Sequence, residues 1–593
     1  MSKNKGSKIK FSIFKRLITF ALPYKRFFFF SLFCVVLITF SSVYRPIIIS
    51  DMVDKYIING KDGDAFLFWT LIVIGMLLTE AILQFTSSYF NNLLAQNIIS
   101  DMRKKLFAHI TSFKMKYFDK TPIGALVTRV VADMEAISEV FSTGVVDFLG
   151  DVITLSAVFL TMFYVNWQLS ILVLIPIPLL IIATKIFAKA MSKAFQQERL
   201  QVTRLNTFVQ ERITGMAIVQ LFSREQEEFN QFKEINKEHR KAHINAIWAF
   251  SIFFPVVEIL SSLSIAFLIV FIAFQVEGVS GSEMKYQYQE IIKYTFWIGM
   301  LFRPIRQLAD KFNILQRGTV RAERVFEIID LDEHIQNEGN ETSCNFNQLI
   351  KFKNVHFAYK ENEWVLKDIN LEIRPNSMVA FVGATGAGKS SIVNLIGRFY
   401  EYQKGEVLIG NKNIKDLELK YLRKNIAIVL QDVFLFSDTI HNNITLNNPE
   451  ITREQVIKAS KAVKAHRFIE KLPGGYDYNV GERGGVLSVG QRQLLAFIRA
   501  YVYNPSVLIL DEATSSLDNE SEEMIQQATE ELTKGRTSIV IAHRISTIQN
   551  ADQIVVLDKG EIKEKGNHKE LLRINGWYKK LFEKQFSEQL NNG

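Results

Sequence analysis

The run Gly383-Ala384-Thr385-Gly386-Ala387-Gly388-Lys389-Ser390 is the part of the chain best equipped for chemistry. It fits the phosphate-loop pattern GxxxxGK[ST]. Glycines let the backbone wrap closely, so that its N–H groups point at phosphate oxygens. Lys389 is then placed to reach β- and γ-phosphates, and the Ser390 hydroxyl to ligate Mg²⁺. An apolar strand pattern over 378–382 precedes the loop and a helical pattern from Ser391 follows it, which is the context the motif requires. Further on, Val507-Leu508-Ile509-Leu510-Asp511-Glu512 reads as a buried strand ending in two acids. Alone, such a run is an ordinary strand end. Downstream of a phosphate loop, Asp511 suits Mg²⁺ coordination and Glu512 can polarise an attacking water as general base.

These residues carry a resemblance: the stretch 350–590 is similar to the nucleotide-binding domain of ABC transporters. Its most specific motif is Leu487-Ser488-Val489-Gly490-Gln491, which resembles the LSGGQ signature of that family. The physical logic is a helix N-terminus offering N–H groups and the Ser488 hydroxyl to a γ-phosphate. By resemblance, that phosphate belongs to ATP held by the opposing domain of a dimer. Val489 departs from the family, which usually has Gly there, whereas Ser488 and Gly490 match. The resemblance further implies that Tyr359 stacks on adenine and that residues from Gly383 to Ser391 hold the phosphates. Gln431 corresponds to the glutamine that senses Mg²⁺ and the membrane domain. Ser515-Ser516-Leu517-Asp518 is similar to the D-loop, and His543 to the switch histidine that contacts the γ-phosphate. Val480-Gly481-Glu482-Arg483-Gly484 resembles the segment that exporters place before the signature, thought to touch their long cytoplasmic helices.

The elements that must position these groups fall into two halves. Hydrophobic residues make up 48% of the 593 residues, with 47 Phe, alongside a net charge of +9. A basic balance suits either nucleic acid or the cytoplasmic loops of a membrane protein. Placement decides for the membrane: residues 1–26 hold eight Lys or Arg and no acid, directly before an apolar run. The two cysteines, Cys34 and Cys344, suggest neither a disulfide framework nor a zinc site. A spanning helix needs roughly 20 mostly apolar residues. The spans 27–49, 66–90, 141–165, 169–191, 244–276 and 291–315 supply six, the last weak because Arg303, Arg306 and Asp310 interrupt it. The basic N-terminus orients the first span outward from the cytoplasm, so the long, charged, helix-periodic segments 91–140 and 192–243 are expected inside, as helices continuing well beyond the bilayer. After a polar linker, β-branched runs near 379–382, 426–430, 507–510, 538–541 and 554–557 alternate with helical stretches. That predicts an α/β domain with a largely parallel sheet.

The resemblance extends to the membrane half. Phe118-Asp119-Lys120-Thr121-Pro122-Ile123-Gly124, followed by Arg129 and Asp133, is similar to the first cytoplasmic loop of ABC exporters. Glu211 with Gly215, Val219 and Phe222 is similar to the second. In that family both loops end in short coupling helices that dock on the ATPase domains. Within the spans, Glu80 and Glu258 stand out, because a carboxylate in hydrocarbon must face protein or water. Each reads either as a contact for a cationic substrate or proton, or as a helix–helix bond. Arg45 is expected to snorkel outward, and Pro176, Pro178, Pro255 and Pro304 to kink their helices.

The expectation is therefore a six-span α-helical membrane domain of the ABC exporter type over 1–330, a linker over 331–348, and an α/β P-loop domain over 349–593. Together these make an exporter-type half-transporter. The implied activity is ATP- and Mg²⁺-dependent export or flipping of hydrophobic or amphipathic substrates, drug-like compounds or lipids, with no nucleic acid as partner. Glu512, His543, Gln431, Ser488, Gly490 and Asp518 are the expected catalytic set, and Ser390, Gln431 and Asp511 the expected metal ligands. One phosphate loop and one signature per chain call for a second chain, a homodimer being favoured over a heterodimer. The expected location is multi-pass in a bacterial plasma membrane, with the ATP-binding domain in the cytoplasm. An ATP-gated regulator, or an importer built on the same fold, is the alternative.

Overall fold

The computed structural model describes residues 11–58, 60, 62–276, 282–335, 339–511, 519–542 and 545–590. The chain divides into two compact units: Met1–Thr111 with Ile123–Leu331, and Ser112–Pro122 with Asp332–Gly593.

The first unit is helical. Among the described residues five helices are long and apolar enough to cross a membrane: Ser12–Ile57, Gly63–Thr111, Ile123–Val165, Trp167–Thr214 and Glu225–Gln275. At 1.5 Å per residue each runs to about 65–75 Å, twice the hydrocarbon thickness, so each continues far outside it. A sixth long helix, Ser282–Ile329, carries too many polar residues to meet the same test. Its position explains the tolerance, because it is walled by protein rather than lipid. Tyr294, Trp297 and Phe302 are fully buried. The Trp297 indole donates to the Val43 carbonyl at 3.1 Å, and the Tyr294 hydroxyl donates to the Met162 and Asn166 carbonyls at 2.8 and 2.7 Å. The other helices turn bulky apolar groups outward, such as Phe40, Phe85, Leu160 and Phe274. Asn166 alone joins the third and fourth helices; its side chain caps the fourth by accepting from the Gln168 and Leu169 N–H groups.

The sequence reading left the residues before the first span without an element. They form the amphipathic helix Phe11–Ala21, followed by a tight turn at Leu22–Tyr24 before the spanning helix Lys25–Met52. Arg16 grips the Asp330 carboxylate with two bonds, at 2.5 and 2.6 Å, and lies over the Phe326 ring. Between the fourth and fifth helices sits the short helix Met216–Leu221.

In the second unit, Ser112–Pro122 contributes the short helix Met115–Lys120 and is tied to the chain beyond the sixth helix. The Lys114 N–H donates to the Glu333 carbonyl at 2.8 Å, and the Ser112 hydroxyl pairs with His334 Nδ1 at 2.6 Å. The rest is α/β. Strands β1 (Ile350–Ala358), β2 (Trp364–Ile373), β4 (Lys404–Ile409) and β5 (Lys412–Asn413) make an antiparallel sheet ordered β2-β1-β4-β5. The second sheet runs β10-β9-β3-β8-β7-β6, from β3 (Met378–Val382), β6 (Ile426–Val429), β7 (Val507–Asp511), β8 (Thr537–Ile541), β9 (Gln553–Asp558) and β10 (Glu561–Gly566). All its pairs are parallel except the β9–β10 hairpin. Its inner strands β3, β7, β8 and β9 are buried on both faces, which is why they read as unbroken apolar runs.

Candidate functional site

In an open parallel sheet ligands bind beyond the carboxyl ends of the strands. At that edge the phosphate loop leaves β3, which lies between β9 and β8. Gly383 has φ 154°, and a Cβ there would run into the Leu557 carbonyl of the neighbouring strand, so only glycine lets the loop start so close to β9. Ala384, Thr385 and Gly386 form the exposed crest, Ala387 is buried, and Gly388 precedes the helix Lys389–Ile396 as its N-cap. Lys389 is only 8% exposed; its Nζ donates to the Gly383 and Ala384 carbonyls at 2.7 and 3.1 Å. Burial pushes its ammonium below the usual lysine range, and the Asp511 carboxylate opposes that shift. A desolvated cation inside a loop of backbone N–H groups is a strong attractor for polyphosphate.

Strand register brings the other expected groups to the same edge. Asp511 ends β7 opposite Ile541 of β8, and Val429 of β6 lies opposite Leu510. Gln431, exposed just past β6, therefore follows the strand next to Asp511. A hydroxyl at the helix start (Ser390, exposed), a carboxylate and an amide are the hard oxygen donors that Mg²⁺ takes. Tyr359 lies just after β1. Its hydroxyl accepts from Asn394 Nδ2 at 3.1 Å and pairs with the buried Ser391 hydroxyl at 3.2 Å, while its ring meets Phe357 and Tyr400 edge-on. Ser391 and Asn394 thus tether the aromatic to the helix behind the phosphate loop. Sequence reasoning missed Asn394; its signal was a polar side chain one turn beyond Ser391.

The signature helix packs against the opposite face of the same sheet, in the cluster that takes in Ala380 and Val382 of β3, whereas the phosphate-loop helix packs with Val379 and Phe381. Leu487 and Leu494–Ile498 pack in one cluster, whereas Ile392, Val393, Leu395 and Ile396 of the phosphate-loop helix pack in another. Ser488 caps the helix Val489–Val502: its hydroxyl accepts from the Gln491 N–H at 3.2 Å, and the Gln491 side chain accepts from the Ser488 N–H at 3.0 Å. This reciprocal capping box leaves the other first-turn N–H groups at the helix mouth. Gly490 is buried, while Val489 is 48% exposed, so the branched side chain at the family's glycine position points away from the packing. Arg492, also missed, fixes the approach by donating to the Leu487 and Gly484 carbonyls at 2.7 and 3.3 Å. Glu512, Asp518 and His543 lie outside the described residues, as do Ser515, Ser516 and Leu517.

A cavity of about 260 Å³ opens instead at the strand starts, beside Met378, Arg536 and Asp552. Its charged groups are already bonded within the chain, Asp552 to the Met378 N–H, Arg536 to Asn504 and Lys534 to Glu531, so we assign it no part in the chemistry.

In the helical unit, Glu80 accepts from Arg45 at 2.5 Å and from Ser41 at 2.8 Å. This is the helix–helix bond of the two readings. It also corrects the expectation that Arg45 snorkels: the side chain turns to a carboxylate that would otherwise be buried unpaired. Glu258 lies on an exposed face of its helix. Sequence reasoning overlooked Asp151, which pairs with Lys311 of the sixth helix, and the adjoining Asp147; acids spaced i, i+4 inside an apolar span were the signal.

Comparison with known proteins gives a consistent result. Residues 28–304 match the family ABC transporter transmembrane region, and residues 366–515 match the family ABC transporter. The chain is 35% identical over 580 residues to an ATP-dependent lipid A-core flippase of Syntrophus aciditrophicus, covering 98% of this chain and 95% of that one. It is 36% identical over 519 residues to a probable multidrug resistance ABC transporter ATP-binding/permease protein of Bacillus subtilis, covering 86% and 76%. A solved bacterial Atm1-family ABC exporter with ATP bound superposes with a TM-score of 0.77 at 25% identity, covering 95% of this chain and 98% of that one.

Proposed function

The chain belongs to the ABC transporter family, and from that premise we propose that it exports or flips hydrophobic or amphipathic molecules, drug-like compounds or lipids, at the expense of ATP hydrolysis. In this reading residues 1–330 are the membrane domain, 331–348 the linker and 349–593 the ATP-binding domain. The protein sits in a bacterial plasma membrane with that last domain in the cytoplasm. The lipid and multidrug substrates named for the two relatives motivate the substrate class.

The observation that carries the reading is the division of the nucleotide machinery between the two faces of one sheet. One chain offers a phosphate loop around Lys389, whose helix packs on one face, and a signature helix capped by Ser488, which packs on the other. Two copies, a homodimer, would each complete the other's site and clamp two ATP molecules. Tyr359 would hold the adenine, and Lys389 with the loop N–H groups the β- and γ-phosphates. Ser390, Gln431 and Asp511 would hold Mg²⁺, which supplies charge neutralisation on the phosphates. Glu512 would polarise the attacking water, with His543 at the γ-phosphate and Asp518 at the dimer contact.

Glu512→Gln tests this. ATP binding should persist while turnover falls ~10²–10⁴-fold, the usual worth of a general base. ATPase activity near wild type in that variant would reject the assignment. Loading of a lipid or dye into inside-out vesicles on addition of ATP, abolished by the same substitution, would establish export; ATP-driven depletion would establish import.

A further inference from the structure

The chain passes between its two units at residues 111/112, 122/123 and 331/332. The last two crossings open the third helix and close the sixth. Not far inside both lies Asp133, with no exposure at all. Its carboxylate accepts from Arg129 at 2.8 Å, one turn back on its own helix, and from Arg321 of the sixth helix at 2.6 Å, 188 residues away in sequence. The surroundings fit a fastening. Arg103 of the second helix donates to the neighbouring Val130 carbonyl, and Arg317 faces Glu139 across the same seam. Gly318 of the sixth helix approaches so closely that a Cβ there would overlap Val140. The stretch Arg129–Asp133 is a π-helical turn, as is Val140–Val145. Such turns cost helical regularity and recur where function needs a side chain re-aimed.

A fully buried carboxylate is tolerated only when paired. Here the pairing joins the helix by which the chain re-enters the membrane unit to the helix by which it leaves for the last time. We propose that Asp133 is a positioning residue for transport: it fastens the third and sixth helices, so that a displacement delivered by the ATP-binding unit reaches both as one body. The inference rests on the ATP-driven transport proposed above, but its test needs no substrate. Asp133 belongs to the helical unit and not to the unit that carries the nucleotide groups and the signature, so its loss should spare hydrolysis and remove what hydrolysis drives.

The experiment uses the full chain in lipid nanodiscs with spin labels at exposed Ile57 and Tyr288, on the first and sixth helices. In the wild type, ATP with vanadate should shift the label-to-label distance. In Asp133→Asn the population that shifts should fall about five-fold or more, the lower range of allosteric coupling, while ATPase turnover stays within about two-fold. Arg321→Gln, at a partly exposed position, should behave alike and serves if Asp133→Asn does not fold. The double variant should be no worse than either single, because both break one fastening. A full shift in both single variants overturns the proposal, as does additive loss in the double, or loss of ATPase activity in proportion to the shift. A wild type that hydrolyses ATP without any shift overturns it too. A wild type without ATPase activity would count against the transport reading instead.

Discussion

Ser488 has two possible duties, and their magnitudes differ enough to be told apart. Its hydroxyl closes a capping box at the start of Val489–Val502, at 3.2 Å from the Gln491 N–H. Replacing a capping serine by alanine costs ~1 kcal/mol, within a range of about 0.5–2, and replacing it by glycine only a few tenths. A domain stable by about 5–15 kcal/mol stays folded after either loss. If capping were the only role, Ser488→Ala would keep ATPase turnover within about two-fold of wild type and Ser488→Gly would be nearly silent. If the hydroxyl also donates to a γ-phosphate across a dimer, both substitutions remove that donor equally. The loss of one such preorganised donor is worth ~10²–10³ in turnover. The expected result is therefore two variants with matching, severe ATPase defects but different stabilities, alanine the less stable by about 0.5–1 kcal/mol. Steady-state turnover at saturating ATP and urea unfolding of the purified protein measure the two quantities separately. Turnover above about half of wild type in Ser488→Ala, or a healthy Ser488→Gly beside a crippled Ser488→Ala, would leave the hydroxyl a cap and refute its catalytic use.

Two other outcomes follow from the charges. Arg45→Ala should lower the stability of the detergent-solubilised protein by about 3–5 kcal/mol, because it strands the Glu80 carboxylate in a site where both side chains are under a quarter exposed; Arg45→Met with Glu80→Leu should recover most of that loss in a thermal-shift measurement. Burial, reinforced by Lys569, holds His568 below its usual value of 6.5, so the folded state favours the neutral ring. Its contribution is complete above that value and is lost as the pH falls through the lower folded value. The unfolding midpoint should thus drop between about pH 7 and pH 5, and a His568→Gln variant should drop less.

How much of this was legible in the sequence depended on how local the determinants are. The phosphate loop could be read because its requirements are contiguous: a strand, glycines where a Cβ meets Leu557, a lysine and a hydroxyl. The signature cap was readable for the same reason, since Ser488 and Gln491 stand at capping-box spacing. The sixth helix was weaker. Its composition answers to protein neighbours, Val43, Met162 and Asn166, that no window of hydropathy contains. The Phe11–Ala21 helix was missed because its basic residues read as a charged flank, whereas Arg16 is committed to Asp330 at the far end of the unit. The partnership of Arg45 with Glu80 left no trace either. Glu80 was read as costly in a membrane and Arg45 as snorkelling outward, and sequence order does not say that the two meet.

Apart from the exposed Arg16–Asp330 pair, the interhelical ion pairs sort by partner. Arg45–Glu80 joins helices one and two; Asp151–Lys311 and Asp133–Arg321 join three and six. Arg212–Glu228 joins four and five near their shared tip, and the His243–Glu198 hydrogen bond joins them further along. Across these partnerships the named contacts are indole or hydroxyl to carbonyl, as from Trp297 to Val43, or hydroxyl to hydroxyl, as between Thr39 and Thr154, apart from Arg103 to the Val130 carbonyl and the Arg16–Asp330 pair, which is solvent-exposed and so worth little. The distinction has a mechanical consequence. Separating a buried ion pair strands two charges and costs several kcal/mol, whereas exchanging a neutral hydrogen bond costs about 1 kcal/mol. A transport cycle driven by ATP must rearrange helices repeatedly, so its movement should run along the cheap seams and leave the charged ones closed. Helices three and six then travel together, fastened at Asp151 within the span and at Asp133 beyond it. If so, neutralising the inner fastening with Asp151→Asn and Lys311→Gln together should leave the seam intact at Asp133, and ATP-driven movement with it. Neutralising Asp133 should not be compensated by the pair at Asp151, because it is the fastening nearer the chain crossings that receives the displacement first.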